Sequence, residues 1–362
     1  MESSTSKAAA SAIASPGRVP FVSFVLPVRN EERHLPACLA SLAAQDYPRD
    51  RFEILVVDGR STDRTREYVR VFAAENPGLE VRLLDNPAQG VAPGRNAGIR
   101  AARGEVIAFV EGHAEVDPGF LSEVAECLAK TPAVCLGRYV EQCLPEGTVF
   151  QRAIGLARKS RLGRNPHSGR FVARGACWMS PLGVATVYRR EVFEQVGLYD
   201  ESFITNEDVE FNYRVERAGL QAWYSPRLRY RLHPRESIVG LWRQMYRYGV
   251  GKRRFTRRHP EARRLAYLAP TLLCLSALSA AIALPFPTAA ALLALPLAGY
   301  LAFSLLAAVR SVRRGLGAAT LVPAAMLAMV FAFGLGYGIE DLAGRRHRRA
   351  AAPGPSSEVT RA

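Results

Sequence analysis

The chain has 362 residues, 49% of them hydrophobic, with 48 Lys and Arg against 33 Asp and Glu for a formal net charge of +15. This leaves ample material for a core and room for two domains of ordinary size. Such a charge raises nucleic acid as a partner, but its distribution argues against one. The densest basic runs, KRRFTRRHPEARR, RSVRR and RRHRR, flank long apolar stretches late in the chain, where anionic lipid attracts Lys and Arg.

In chain order, residues 1–19 are small, polar and Ala/Ser-rich, with no continuous hydrophobic region before a cleavage site. They read as a disordered leader, not a signal peptide. Residues 20–235 alternate short β-branched runs, FVSFVLPV, FEILVVD, LEVRLLDN and GEVIAFVEG, with helical stretches such as EERHLPACLASLAAQ and DRTREYVRVFAAE. That is the α/β pattern of a mainly parallel sheet covered by helices, whose ligands sit beyond the carboxyl ends of the strands.

The motifs lie at those ends. Pro27, Val28, Arg29, Asn30 and Glu31 close the first strand and open a helix whose amides and positive end suit a nucleotide. Asp58 ends the second strand, and Ser61, Thr62 and Asp63 after it read equally as an N-cap. In GVAPGRNAGIRAARG, Arg95 offers fixed donors to a diphosphate, Asn96 can cap, and Gly98 permits close backbone approach. The fourth strand runs into Glu111, Gly112 and His113. An irregular basic segment, RKSRLGRNPHSGRFVARGACW, precedes NEDVEFNYRVERAGL, a helix acidic at its start with Phe211, Val215 and Leu220 inward.

Residues 236–262 hold a helix with Ile238, Leu241, Trp242 and Met245 at helical spacing, expected to lie in a bilayer surface, followed by a basic linker. Residues 263–342 contain three apolar stretches, 265–284, 288–309 and 316–339. Each is near the roughly 20 residues a spanning helix needs. About three transmembrane helices are expected, with a basic disordered tail at 343–362. Three full spans with a cytoplasmic catalytic domain put RSVRR inside but send RRHRR outside, against the positive-inside bias. The six cysteines show no CxxC pair or metal spacing, as fits a reduced cytosolic domain.

The order and separation of PVRNE, VVDGRSTD, GRNAGI, EGH and NEDVE resemble the family 2 glycosyltransferases of the GT-A fold, over roughly residues 20 to 260. The resemblance implies a Rossmann-like GT-A domain and an inverting, metal-dependent transferase. It makes Asp58 the partner of the nucleotide base, usually uracil, with Arg60 a departure from the usual Asp-Gly or Gly-Gly. Most relatives carry Asp-x-Asp where this chain has Glu111-Gly112-His113, and EGHAE resembles the Asp-Ala-His-Ala-Glu run of a succinoglycan glucosyltransferase subfamily. Glu111, His113 and Glu115 are then the expected ligands of Mn²⁺ or Mg²⁺, with Gly112 beside the donor. Asp208 takes the role of catalytic base, Glu207 supports it, and Glu210 orients donor or acceptor. Gln244, Arg247 and Tyr248 resemble the Gln-x-x-Arg-Trp element of membrane polysaccharide synthases.

The expected partners are a nucleotide sugar, above all a UDP-sugar, a lipid-linked or glycan acceptor, and membrane lipid. A polyprenyl-diphosphate-linked acceptor in exopolysaccharide or envelope synthesis is favoured. The alternatives are a processive polysaccharide synthase and a catalytically silent nucleotide-sugar-binding membrane protein.

Overall fold

The computed structural model describes residues 19–142, 146–160, 169–171 and 174–350. The leader up to residue 18, residues 161–168 and 172–173 of the basic segment, and the tail after 350 lie outside the described residues. The chain separates into two compact units: the described residues of Met1–Glu236 with Ser311–Val322, and those of Ser237–Arg310 with Pro323–Ala362.

In the first unit, β1 (Val22–Val28), β2 (Phe52–Asp58), β3 (Glu80–Asp85) and β4 (Val106–Phe109) are the four runs read from the pattern. They alternate with α1 (Leu35–Ala43), α2 (Thr65–Glu75) and α3 (Val91–Ala101) and pair in parallel in the order β3-β2-β1-β4. β2 is buried along its whole length, which is why its sequence is continuously apolar instead of alternating. The chain steps outward from β1 to β3 and then returns to β4 on the other side of β1. That reversal leaves a crevice at the carboxyl ends of β1 and β4, where ligands of such sheets bind.

The rest of the unit adds β5 (Ala114–Val116), α4 (Phe120–Lys130), β6 (Cys135–Glu141), α5 (Val149–Lys159), β7 (Cys177–Met179), β8 (Ala185–Arg189), α6 (Glu191–Val196), α7 (Glu207–Arg217) and β9 (Ala222–Leu232). The sheet continues from β4 as β8-β6-β9-β5, with β7 also on β9. Every junction in this half is antiparallel except β6 with β9, so the whole sheet is mixed and the mainly parallel pattern belongs to its first half. Two apolar layers cover the faces. Leu35, Leu39, Phe120 and Val124 of α1 and α4 pack on one; Ile99, Phe193, Phe211 and Val215 of α3, α6 and α7 pack on the other. α5 starts with a capping box, Gln151 N–H donating to Thr148 Oγ1 at 3.2 Å and Thr148 N–H to Gln151 Oε1 at 2.8 Å.

The second unit contains α8 (Ile238–Arg258), α9 (Ala269–Ile282), α10 (Pro287–Ser311) and most of α11 (Leu316–Ala350). By length and composition α10 and α11 can cross a bilayer. The first apolar stretch departs from expectation. A 3₁₀ turn at Leu265–Tyr267 precedes it, and its helix has 14 residues, ending before Pro285 and Pro287. At 1.5 Å per residue that is roughly 21 Å, short of the roughly 30 Å hydrocarbon layer. Two long helices and one short one therefore replace the three full spans.

α8 also differs from a helix lying free in a bilayer surface, since protein covers part of its inner face. Leu241, Gly249, Gly251 and Phe255 are buried, while Ile238, Val239 and Trp242 remain exposed. A Cβ at Gly249 would run into the Phe333 carbonyl, and one at Gly336 into the Tyr246 carbonyl, so these glycines let α8 and α11 touch backbone to backbone. Beside this crossing, Arg254 Nε and Arg257 Nη1 each stand 3.2 Å from Glu340 Oε1, answering a carboxylate at the end of the apolar part of α11.

Gly336→Leu should therefore separate α8 from α11 and lower the melting temperature of the full-length protein in detergent by several degrees. Gly299→Ala, in α10 with nothing within 4 Å of the added carbon, should leave it unchanged or slightly higher. Equal melting of the two variants would contradict the close crossing.

Candidate functional site

Four non-glycine residues among those described have left-handed backbone: Asn30 (φ 55), Arg60 (φ 57), Gln89 (φ 61) and Asn206 (φ 61). The first three follow β1, β2 and β3, and the fourth opens α7. Such conformations cost about 1 kcal/mol or more each and persist where neighbours over-determine them. The loops after β1 and β2 do this for each other. Asn30 N–H donates to Ser61 Oγ and Glu31 N–H to Thr65 Oγ1, both at 2.9 Å; Thr62 N–H returns a bond to Asn30 Oδ1 at 2.8 Å, and Arg64 N–H one to Glu32 Oε2 at 3.0 Å. Ser61 thus serves the neighbouring loop, while Asp63 bonds both Thr65 N–H of its own helix start and Glu32 N–H across the gap.

Asp58 is committed to the same frame. Its side chain is wholly buried, accepting from Ser61 N–H at 3.3 and 3.2 Å and pairing with Arg66 Nη1 at 2.8 Å. It therefore shapes the loop and does not stand open toward a base, as the resemblance implied. Pro27 and Val28 are likewise strand residues, the Val28 carbonyl accepting from Gly59 N–H at 2.8 Å. Arg29 and Arg60 project into solvent.

The crevice between β1 and β4 gathers the metal candidates. A Cβ at Gly112 would stand 2.8 Å from Val28 Cγ1, so the absence of a side chain lets residues 111–113 pass against the end of β1. Glu31 Oε1 there lies 3.0 Å from His113 Nδ1, so Nε2 is the nitrogen that an ion would meet. Glu111 Oε1 accepts from Arg138 Nη2 at 2.8 Å. Arg138 is nearly buried, lies 4.1 Å from the centroid of the Tyr230 ring, and is held there because Tyr230 O–H donates to the Phe109 carbonyl at 2.6 Å. Burial pushes the Glu111 carboxyl up, but Arg138, backed by His113, Arg95 and Arg170, outweighs it and holds the group down at about 2.

Glu111 Oε2 is buried and has no hydrogen-bond partner among the described residues. An ionised acceptor without a donor fits a cation. No group of three or more His, Cys, Asp or Glu among the described residues forms a ready metal cage. One or two protein ligands are what Mg²⁺ or Mn²⁺ uses when substrate phosphates complete its shell, so Glu111 and His113 fit such an ion. Glu115 lies within β5 and is drawn to His233, its Oε1 3.5 Å from Nε2. His233 in turn stacks on His34 at 5.9 Å. His34, His113 and His233 line one cavity with Glu31, Gln151 and Arg235.

At the start of α7, Glu207 is buried and stands 3.4 Å from Arg95 Nη1. Burial raises its carboxyl above the ordinary carboxylate range, Arg95 opposing and Asp208 adding to the rise. Arg95 lies over the rings of Phe109 and Tyr199, at 5.3 and 5.0 Å, with 12% of its side chain exposed. It is therefore built into the wall behind Glu207 and does not offer an open fork to a diphosphate. Asn96 is no helix cap, since α3 begins at Val91. It is buried, donating to the Tyr199 carbonyl and accepting from Tyr199 N–H, each at 2.9 Å, which holds the loop before α7. Glu210 is spent on Arg214, which also donates to the Val196 and Leu198 carbonyls.

Asp208 differs from its neighbours: 36% of its side chain is exposed, and Arg170 Nη1 is 3.9 Å from Oδ2. Gln244, Arg247 and Tyr248 belong to α8 of the second unit, where Gln244 Nε2 donates to Tyr248 Oη at 3.4 Å. Sequence reasoning missed Arg138, His34 and His233, and took Arg170 only as one residue of the basic segment RKSRLGRNPHSGRFVARGACW. Arg138 left a local signal, a charge in the middle of the otherwise buried strand CLGRYVE.

Residues 23–197 match the family model described as glycosyl transferase family 2. The succinoglycan biosynthesis protein ExoA of Rhizobium meliloti is 31% identical over 261 residues, covering 71% of this chain and 77% of that protein. A Methanococcus voltae protein, dolichyl N-acetyl-alpha-D-glucosaminyl phosphate 3-beta-D-2,3-diacetamido-2,3-dideoxy-beta-D-glucuronosyltransferase, is 24% identical over 239 residues, covering 64% of this chain and 73% of that one. Among solved structures, the mannosyltransferase PcManGT from Pyrobaculum calidifontis, in complex with GDP-Man and Mn²⁺, superposes with a TM-score of 0.58 at 20% identity over 91% of this chain and 89% of its own. The mixed sheet with flanking helices thus has the GT-A fold.

Arg138→Met keeps the stacking on Tyr230 but removes the cation from Glu111. It should destabilise the protein by about 1 to 3 kcal/mol, the cost of leaving a charged group without its hydrogen bond, and Arg138→Lys should recover part of this. Urea unfolding of the purified protein measures both, and an Arg138→Met midpoint equal to wild type would show that the pair contributes nothing.

Proposed function

The chain belongs to glycosyl transferase family 2, and on that premise we propose that it is an inverting, metal-dependent transferase. It moves a sugar from a nucleotide sugar, a UDP-sugar in this reading, to a lipid-linked acceptor in polysaccharide or envelope glycan synthesis. The observation that carries this reading is the contrast within the Asn206-Glu207-Asp208 run. Glu207 is buried against Arg95, while the Asp208 carboxylate reaches the open rim, 3.9 Å from Arg170 Nη1.

The chemistry follows from that spacing. The acceptor hydroxyl gives its proton to Asp208 as its oxygen attacks the anomeric carbon. The bond to the nucleoside diphosphate breaks on the opposite face, and the departing phosphate takes the electron pair. Glu111 and His113 would hold a divalent cation, which when bound supplies positive charge to that phosphate. Glu31 fixes the tautomer of His113, and Arg138 keeps Glu111 ionised. Glu207, held by Arg95, fixes the start of α7 so that Asp208 points outward. The interlocked loops after β1 and β2, shaped by Asp58, offer the surface for the base. The apolar helices α10 and α11 attach this unit to a membrane whose cytoplasmic side supplies the nucleotide sugar.

Asp208→Asn keeps size and much of the hydrogen bonding but cannot take the proton. Turnover should fall by about 10²- to 10⁴-fold, with donor affinity by calorimetry near wild type. Near-normal turnover would remove Asp208 from the role of base, and lost donor affinity would assign it to the donor site or the fold.

His113→Ala should raise the Mn²⁺ concentration for half-maximal activity, and Glu31→Gln, which frees the His113 ring, should weaken metal binding by about 10- to 100-fold. Calorimetric titration of Mn²⁺ in the presence of nucleoside diphosphate reads the same change without turnover. Unchanged midpoints in both folded variants would take His113 out of the metal site.

A further inference from the structure

A second set of polar groups lies one step out from Asp208. Arg170, 3.9 Å from Asp208 Oδ2, lies with its guanidinium carbon 5.1 Å from the centroid of the Phe171 ring. Arg158, in the last turn of α5, faces the same ring at 5.9 Å, and its Nη1 donates to Gln142 Oε1 at 2.8 Å. Gln142, just past the end of β6, is only 3% exposed. Its amide nitrogen is buried and has no hydrogen-bond partner among the described residues. Turning the amide over would set two N–H donors against each other, so the contact with Arg158 fixes which end is unanswered.

Leaving a buried donor without an acceptor costs enough that native proteins rarely do it without a ligand or a role. Contacts link Asp208, Arg170, Phe171, Arg158 and Gln142 in that order. The series runs from a base, past two guanidinium groups on one aromatic ring, to a donor awaiting an acceptor. Guanidinium and amide N–H groups are the donor set that suits phosphate oxygens.

We propose that Gln142, Arg158 and Arg170 form a subsite for a phosphate ester on the acceptor, one sugar ring away from the hydroxyl that is glycosylated. This rests on the reading of Asp208 as the base. It specifies the acceptor as a glycosyl phosphate or diphosphate and excludes a neutral glycan end as the preferred substrate. The donor diphosphate has the same chemistry, and the test separates the two.

The full-length protein in detergent is given the nucleotide sugar that it hydrolyses best from a panel. The acceptors are the decyl phosphodiesters of α-glucose and α-galactose, each against the decyl glycoside of the same sugar. Wild type should prefer a phosphorylated acceptor by about tenfold or more in kcat/KM, the worth of one charge-assisted hydrogen bond. Arg158→Gln and Gln142→Ala should abolish most of that preference, and Arg158→Lys should keep much of it. Donor hydrolysis without acceptor and the KM for donor should not change in any of them.

The subsite is overturned if wild type hydrolyses donor yet shows no preference for phosphate. It is also overturned if the variants slow both acceptors alike, which would place these groups in the fold, or if they raise the donor KM, which would place them on the donor diphosphate. Failure of the wild-type protein to hydrolyse any nucleotide sugar would strike instead at the transferase reading on which the subsite rests.

Discussion

A carboxylate can be kept in a protein interior only where a cation or a set of donors answers it, because the desolvation of an unpaired charge exceeds what a small domain can offset. The rim of this sheet is rich in such groups, and their partners sort them by role. Asp58 is answered by Arg66 and a backbone amide, and Glu210 by Arg214, so both are fully engaged in holding loops and helix ends. Glu207 is answered by Arg95, yet burial keeps its affinity for protons raised. Glu111 is answered at one oxygen only, and Asp208 reaches the solvent. Glu111 and Asp208 are thus the two carboxylates with unspent capacity, and they are the two that the proposed transfer would use.

Topology explains why these groups meet. The return of the chain to β4 beside β1 brings the end of the first strand against the residues that follow the fourth, and the bare backbone at Gly112 lets the two pass closely. The later strands then bring up Arg138 and Tyr230 from β6 and β9 to close the crevice. The antiparallel half of the sheet is thus more than an extension of the core, since it supplies Arg138, the foremost of the cations that hold the Glu111 carboxyl low.

The second unit obeys a different constraint. In an apolar surrounding the association of helices gains little from hydrophobic burial and depends on close packing. The glycines at 249, 334 and 336 let the backbones of α8, α9 and α11 approach one another, and Glu340 finds its counter-charge in Arg254 and Arg257. A helix whose apolar stripe suggests a bilayer surface is here partly covered by another helix of the same chain.

Period and composition were enough to place β1 to β4, the helices between them and the late apolar segments, because strand alternation, buried runs and turn residues are local properties of a chain. That Glu111 and His113 follow the fourth strand and that Asp208 starts a helix was legible for the same reason. What Asp58, Arg95, Asn96 and Glu210 do was not, since each is decided by a partner that folding brings to it. The bond of Glu111 joins residues 27 apart, that of His113 residues 82 apart, and that of Glu115 residues 118 apart. Arg138, Arg170 and His233 carry no motif of their own. Only the three-dimensional packing of β6, β9 and the turn at Gly169–Phe171 puts their charges beside the acids, because a charge acquires its role from the one opposite it.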